Sequence, residues 1–341
     1  MSLTGTRAEC ATRNQARGRV TARGTMFWKK KSDPNPLGVP LGDLALMLST
    51  GTIKASIEGN ALLAKHDHYT TRVEVVPPDR GAGSDEPIKA VVRVVTELPE
   101  PIQKMMRGRE AEMFAAFNPM AALGALTIEK GRICVGSRLT IFEREDVWRN
   151  LHVPLLLFTI IGGTEAILGA MRRTFAGEPT RGGDSEWDED ELDSLEEMMS
   201  RFCVCSSGGL GFTAEFGLEP GAASAAAGHH NTALFQLRAD QPHPELGGGL
   251  FVLLQLPHKL PGARQVQEAC MRLNQLEMAA SDMPPHFGAW CPGRMGGNLA
   301  YVSFLPNALH EVRNIAMNAT MWAIHRAEWG SKQLAAMGYR A

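Results

Sequence analysis

Apolar residues recur along the chain in two rhythms, every second residue and every third to fourth, and these rhythms lay out two similar series of elements. In the first series, residues 41–49 read as a short apolar helix and 52–58 and 69–76 as strands, the latter with Val73 and Val75 on one face. Residues 89–98, rich in Val, form a third strand. A helix then starts at Pro101, whose missing N–H is tolerated in a first turn, and runs to about Asn118 with Ile102, Met106, Met113 and Phe117 near one side. Pro119 stops it. Residues 126–128 and 133–139 make a hairpin around Lys130-Gly131, and a long helix follows from about Glu145.

The second series repeats this order. Residues 191–202 form an amphipathic helix with Leu192, Leu195, Met199 and Phe202 on a stripe, followed by strands at 211–216, 233–238 and 249–256. A helix over 264–278 places Val266, Cys270 and Leu273 at helical spacing. Residues 287–291 and 299–304 pair across Gly296-Gly297, and Pro306 opens a last helix with Leu309, Val312, Ala316, Ala319 and Ala323 on one face. Each half therefore reads α-β-β-β-α-β-β-α, an α+β repeat of antiparallel sheets packed with helices. Short sequence matches support the repeat. Leu98-Pro99 falls on Leu256-Pro257 (256 − 98 = 158), Phe117-Asn118 on Leu273-Asn274 (274 − 118 = 156), and Trp148-Arg149-Asn150-Leu151 on Val312-Arg313-Asn314-Ile315 (313 − 149 = 164). Phe158 then meets Trp322.

The expected boundaries are a basic, disordered tail over 1–39, a first module over 40–175, an acidic and Gly-rich linker over 176–189, a second module over 190–330 and a tail over 331–341. At 341 residues the chain is long enough for two such modules. Its 35 basic and 37 acidic residues leave a net charge of −2, which removes the basic signature of a dedicated nucleic-acid binder. The first 31 residues hold eight bases against the single acid Glu9 but no apolar run, so they read as no secretory signal, and a cytoplasmic protein is expected. Residues 151–171 are long and apolar enough to span a membrane; Pro154, Gly162-Gly163 and Glu165 favour a buried core helix. The acids from Asp184 to Asp193 complement the dipole of the helix they open.

Motif chemistry is sparse. No phosphate-cradling loop or nucleophile elbow occurs, and Gly208-Gly209-Leu210-Gly211 reads as a turn before a strand. His310-Glu311 opens like a zinc-protease motif, but Asn314 stands where the second His belongs. Cys203 and Cys205 could share a face, yet no second Cys pair completes a structural zinc site. Cys134, Cys270 and Cys291 sit inside apolar elements and read as core. His66 and His68, or His229 and His230, could each contribute to a metal site, but ten His in this length pair readily by chance. The Asn318-Ala319-Thr320 sequon lies within a helix. No catalytic residue, cofactor or metal is therefore assigned. The candidate partner-binding residues are Trp148, Phe158 and Trp322 on the long helices, with Leu192 and Leu195, since Trp is favoured at interface hot spots.

The repeated element order, with the strand ending in Leu256-Pro257, the helix with Leu273-Asn274, the hairpin over 287–304 and Leu305-Pro306, resembles the type III secretion chaperone-like fold, and in particular the YbjN family of bacterial proteins. The resemblance spans roughly residues 40–172 and 190–328. It implies a non-enzymatic regulatory or chaperone-like protein whose two copies form a pseudo-dimer within one chain and bind a protein or peptide partner. It carries over no active-site residue. Two other readings are an enzyme with an unrecognised Cys or His site and a structural component of a phage or secretion assembly.

Overall fold

The computed structural model describes residues 40–49, 51–77, 88–142, 148–218, 231–293 and 297–339, except the side chains of Trp148 and Arg149. The expected basic tail over 1–39, the pair His229-His230 and Gly296 lie outside them. The first half runs α1 (Leu41–Leu48), β1 (Lys54–Glu58), β2 (Ala61–Lys65), β3 (Thr70–Val76), β4 (Ile88–Glu97), α2 (Glu100–Met106), α3 (Glu110–Phe117), β5 (Ala125–Glu129) and β6 (Arg132–Phe142). Two helices, α4 (Val153–Phe158) and α5 (Thr164–Ala176), complete it and are joined by the π-helical turn Thr159–Gly163. The second half runs α6 (Glu189–Met199), β7 (Val204–Gly208), β8 (Gly211–Gly217), β9 (Thr232–Arg238), β10 (Gly249–Lys259), α7 (Ala263–Ala279), β11 (Ala289–Pro292), β12 (Asn298–Pro306) and α8 (Ile315–Ala336).

The fold is α+β, with two antiparallel six-stranded sheets covered by helices. One sheet is ordered β1-β2-β3-β4-β6-β5 and the other β7-β8-β9-β10-β12-β11, the same order with every strand shifted by six places in the chain. Each half thus has four strands before its middle helix, where periodicity had predicted three. The additional strands are β2 and β7. Ala61-Leu62-Leu63-Ala64 is buried without alternation, and Val204–Gly208 is short and mostly small and polar, so neither shows a period of two in its side-chain chemistry.

Other departures have local causes. The single helix expected from Pro101 to Asn118 is broken into α2 and α3 at Gly108, whose φ of 78° cannot continue a right-handed helix. Pro306 ends β12 instead of opening a helix; Asn314 sits at φ 61°, and α8 starts only at Ile315, so Leu309 and Val312 are buried in the turns before it. That helix runs to Ala336, past the expected boundary at 330. The expected linker is strapped to the second half: Arg181 N donates to Pro244 O at 2.6 Å, Asn307 Nδ2 to Asp184 O at 2.9 Å, and Trp187 is buried.

Both sheets belong to one compact unit, Asn35–Ala341. Leu44 and Leu48 of α1, Leu192, Leu195 and Met199 of α6, and the inward residues of both sheets join in the larger core cluster. A second cluster packs α2, α3 and α5 around Leu126, Ile133 and Val135 of the first sheet. Residues Asn150–Ala176 are long and apolar enough to cross a membrane by length and composition, but 67% of the most apolar window is buried within the protein.

The acids at the start of α6 act as expected for a helix N-terminus. Asp188 Oδ1 accepts from Glu191 N at 2.9 Å while Glu191 Oε2 accepts from Asp188 N at 3.2 Å, a reciprocal capping box. Asp188→Ala is expected to cost about 1 kcal/mol of unfolding free energy, measured by urea denaturation against the unaltered chain.

Candidate functional site

A cluster of charged side chains is buried where the two halves meet. Alternation places Arg138 in the middle of β6, and periodicity places Glu277 of α7 on the same stripe as Val266, Cys270 and Leu273. Arg326 of α8 follows Ala319 and Ala323 at helical spacing. All three are buried, as are His286, Trp290 and Tyr301 around them. Buried charges demand partners, because desolvation without them costs several kcal/mol for each ion.

The partners are present. Glu277 Oε1 accepts from Arg326 Nε at 2.8 Å, and Oε2 accepts from Trp290 Nε1 at 2.8 Å. His286 Nδ1 lies 3.3 Å from Glu277 Oε1. Arg326 also donates to Pro285 O at 2.7 Å, and its guanidinium carbon stands 4.0 Å above the centre of the Tyr301 ring. Arg138 reaches across from the first half. It donates to the main-chain oxygens of Glu277 at 3.0 Å, Met283 at 3.1 Å and Pro284 at 2.9 Å, and to the Thr140 hydroxyl. A backbone bridge between Arg138 and His286 ties the same strand to the loop before β11.

The electrostatics follow from this packing. Burial pushes the Glu277 carboxyl up, but Arg326, His286 and Arg138 together outweigh it and hold the group well below the ordinary carboxylate range. Burial lowers His286 against the pull of Glu277, so its imidazole is held neutral. Burial also brings Arg138 down to about 10, still charged at neutral pH. The two guanidiniums and the carboxylate bond to neighbouring side chains and backbone, out of reach of solvent, whereas the ring nitrogens of His286 make no hydrogen bond. Chemically, the arrangement is a clamp: it holds β6 to the α7–β11 connection.

Further contacts cross the same junction. Ala122 O accepts from Ser303 Oγ at 2.8 Å, and His243 Nε2 lies 3.0 Å from Met120 O. Gly136 leaves the space that the Met278 methyl fills, 2.9 Å from where a Cβ would stand. Two asparagines do the same job in the two halves: Asn118 Oδ1 accepts from Leu126 N of β5, and Asn274 Oδ1 from Trp290 N of β11, both at 2.8 Å.

The sequence candidates fall elsewhere. Leu192 and Leu195 are buried beneath α6 in the core and offer no open surface. Phe158 and Trp322 are partly buried against that core, the Trp322 ring 6.2 Å from Phe287. The Trp148 side chain lies outside the described residues. Phe202, expected on the buried stripe of its helix, is 61% exposed, because α6 ends at Met199 and the chain turns outward. His66 stacks on Tyr69 with ring centroids 4.3 Å apart. Among the described residues, no group of three or more His, Cys, Asp or Glu side chains is placed to hold a metal. The ionic clamp was missed by motif search, although one signal existed: a Glu and an Arg occupy helix positions where the period demands apolar residues.

Glu277→Ala leaves two buried guanidiniums facing no carboxylate, and a loss of about 3–5 kcal/mol in urea unfolding is expected. The acid dependence has two stages. Burial holds His152 down to about 4 and lowers His258 and His286 as well, so each protonates less readily in the folded protein than in the unfolded chain. The unfolded chain protonates them below about pH 6.5, so stability falls from there by up to about 1.4 kcal/mol per pH unit for each. The Glu277 contribution is present above its unfolded value of about 4.3 and is lost at lower pH still, as the folded value is crossed. Melting temperatures between pH 8 and pH 4 check the first stage.

Comparison with known proteins adds little. No family model and no curated protein matches this chain. Among solved structures, the crystal structure of DynU16, described as a protein in the dynemicin biosynthetic locus, aligns with 86% of this chain and 91% of its own at 10% identity and a TM-score of 0.12, which carries no argument about fold or activity.

Proposed function

We propose that the chain is a tandem pair of chaperone-like modules, joined as an intramolecular pseudo-dimer, that binds an extended segment of a partner polypeptide without catalysing a reaction on it. The observation that carries this reading is a pair of exposed apolar faces at topologically equal places. In the first half, Leu46 and Met47 of α1 and Ile57 of β1 are 76%, 53% and 46% exposed. In the second half, Met198 of α6, Phe202 and Val204 of β7 face solvent in the same way. Contiguous exposed apolar side chains mark interaction surfaces more often than isolated ones do.

The edges of the sheets support the same reading. β5 and β11, at one edge, are mostly buried, whereas β1 and β7, at the other, are mostly exposed. The exposed edges are partly capped from within. Ser49 Oγ accepts from Ala55 N at 3.3 Å, and Glu196 Oε2 accepts from Ser207 N at 2.6 Å. A partner therefore meets apolar side chains on the first helix and edge strand more than a bare row of amides, closer to groove docking than to pure strand addition. The repeated strand order and the matched roles of Asn118 and Asn274 support two copies of one module.

The test is cross-linking mass spectrometry to identify a partner and map its contacts, followed by titration of L46S/M47S/I57S and M198S/F202S/V204S chains. Each triple variant is expected to keep its circular dichroism spectrum and to weaken the complex by about tenfold or more, in line with hot-spot losses. Wild-type affinity in both variants overturns the proposal. So does a change confined to the oligomeric state in light scattering, which reassigns the faces to self-association.

A further inference from the structure

The two exposed apolar faces differ in charge. The edge hairpins that carry them are equivalent pair by pair. Lys54 lies opposite Lys65 where Val204 lies opposite Glu215, and the fifth pair closes each hairpin, Glu58 with Ala61 in the first half and Gly208 with Gly211 in the second. A position that is basic in the first half, Lys65, is thus acidic in the second, Glu215. The helices differ as well. α1 has one acid, Asp43 in its first turn, whereas residues 184–202 hold nine acids and one base, Arg201. Equal places in the same strand order carry different charge, so the fold itself does not require it.

Most of these acids serve the fold. Asp188 and Glu191 form the capping box, and Glu186 and Glu191 lie 3.8 and 2.8 Å from the ring nitrogens of His310. Glu189 and Asp190 sit at the positive end of the α6 dipole. Asp193 accepts from Ser207 Oγ at 2.5 Å, and Glu196 accepts from Ser207 N at 2.6 Å. Two carboxylates are left over. Glu197 is exposed in the last turn of α6, where the dipole disfavours a negative charge. It also follows Asp193 by four residues, a like-charge spacing that costs helix stability. Glu215 is exposed on β8. Among the described residues, neither forms an ion pair. Glu197 precedes Met198 on the helix, and Glu215 faces Val204 across the strand pair, so these two unused acids border the apolar side chains.

We infer that the face formed by Met198, Phe202 and Val204 docks a segment of the partner that carries lysine or arginine side chains among apolar ones. The inference rests on the docking reading proposed above and adds the chemistry of what docks. Met198, Phe202 and Val204 are 43%, 61% and 52% exposed and supply the apolar area to be buried. Glu197 and Glu215 supply the charge selection. A base set beside an apolar anchor meets a carboxylate that has no other partner, and it relieves the repulsion between Glu197 and Asp193. An acidic segment would add to that repulsion instead. The first-half face has Lys54 and Lys65 near its own apolar residues and does not share the preference for bases.

The experiment is fluorescence anisotropy of the full-length chain with three labelled amphipathic peptides. All share one pattern of leucines at helical spacing, and their polar positions are all lysine, all glutamine or all glutamate. The lysine peptide is expected to bind about tenfold tighter than the glutamine peptide, with the glutamate peptide weakest, and to lose about fivefold between about 50 and about 300 mM salt. E197Q/E215Q should bring the lysine peptide down to the affinity of the glutamine peptide, while the melting temperature holds or rises by about 1 °C. M198S/F202S/V204S should lose the lysine peptide, and L46S/M47S/I57S should keep it. The inference is overturned by no binding of the lysine peptide, by equal affinity for the lysine and glutamine peptides, or by unchanged affinity in E197Q/E215Q. It is also overturned if L46S/M47S/I57S loses as much as M198S/F202S/V204S, or if light scattering shows self-association that E197Q/E215Q abolishes, which makes a second copy the occupant. If M198S/F202S/V204S loses its circular dichroism spectrum, E197Q/E215Q decides alone. The two readings fail separately. Equal binding of all three peptides, lost in M198S/F202S/V204S, removes the charge preference and leaves the docking face, whereas a cross-linked partner held at wild-type affinity by both triple variants removes the docking face itself.

Discussion

Two guanidiniums and one carboxylate, taken out of water together, hold this molecule in one piece. Arg326 is tied to Glu277 by a direct ion pair, and Arg138 enters from the other half to bond the backbone around it. No member of the set is stable without the others. A buried carboxylate without its arginine, or an arginine without its carbonyls, would carry an uncompensated desolvation cost larger than most single contacts in the fold. The arrangement therefore couples the position of β6 to that of α7 and α8 and makes separation of the halves unfavourable. It also accounts for the loop between α7 and β11, whose carbonyls at Met283, Pro284 and Pro285 are turned inward to receive the arginines.

That constraint gives the two ends of each sheet different fates. The edges formed by β5 and β11 are drawn into the junction, each with an amide held by an asparagine from the preceding helical segment. The edges formed by β1 and β7 stay on the outside, where a free row of amides would invite pairing with other chains. Here a side chain from just after α1 and another from α6 reach over and take up one strand amide each. Exposed apolar side chains, Ile57 on β1 and Val204 on β7, remain beside these capped amides.

Element types were largely legible from the sequence. The Val-rich β4, the Lys130-Gly131 hairpin, the amphipathic α7 and the paired Asn118 and Asn274 could all be read from spacing and turn chemistry. One match was misaligned. The Leu-Pro that precedes the middle helix of the second half is Leu260-Pro261, for Leu260 N bonds to Gly297 O as Leu98 N bonds to Ile133 O. Leu256-Pro257 lies instead within β10, where the pairing register is irregular between Gln255 and Lys259. Two Leu-Pro pairs four residues apart cannot be ranked by pattern alone, because either proline could end a strand and precede a helix.

By itself, the sequence determined the class of fold and the two-part order of elements, because those depend on local periodicity, turn residues and caps within a few positions of each other. Glu277 and Arg326 fall at helical spacing on apolar stripes, a signal that the reading of periodicity passed over. Tertiary structure decided which charges met: Arg138 and Glu277 lie 139 residues apart, and only the packing of one half on the other brings them into reach. It also decided which apolar residues were left outside. Leu192 and Phe202 belong to one stripe by spacing, yet one is buried and the other faces solvent, because the point at which a helix stops is set by the strand it must lead into.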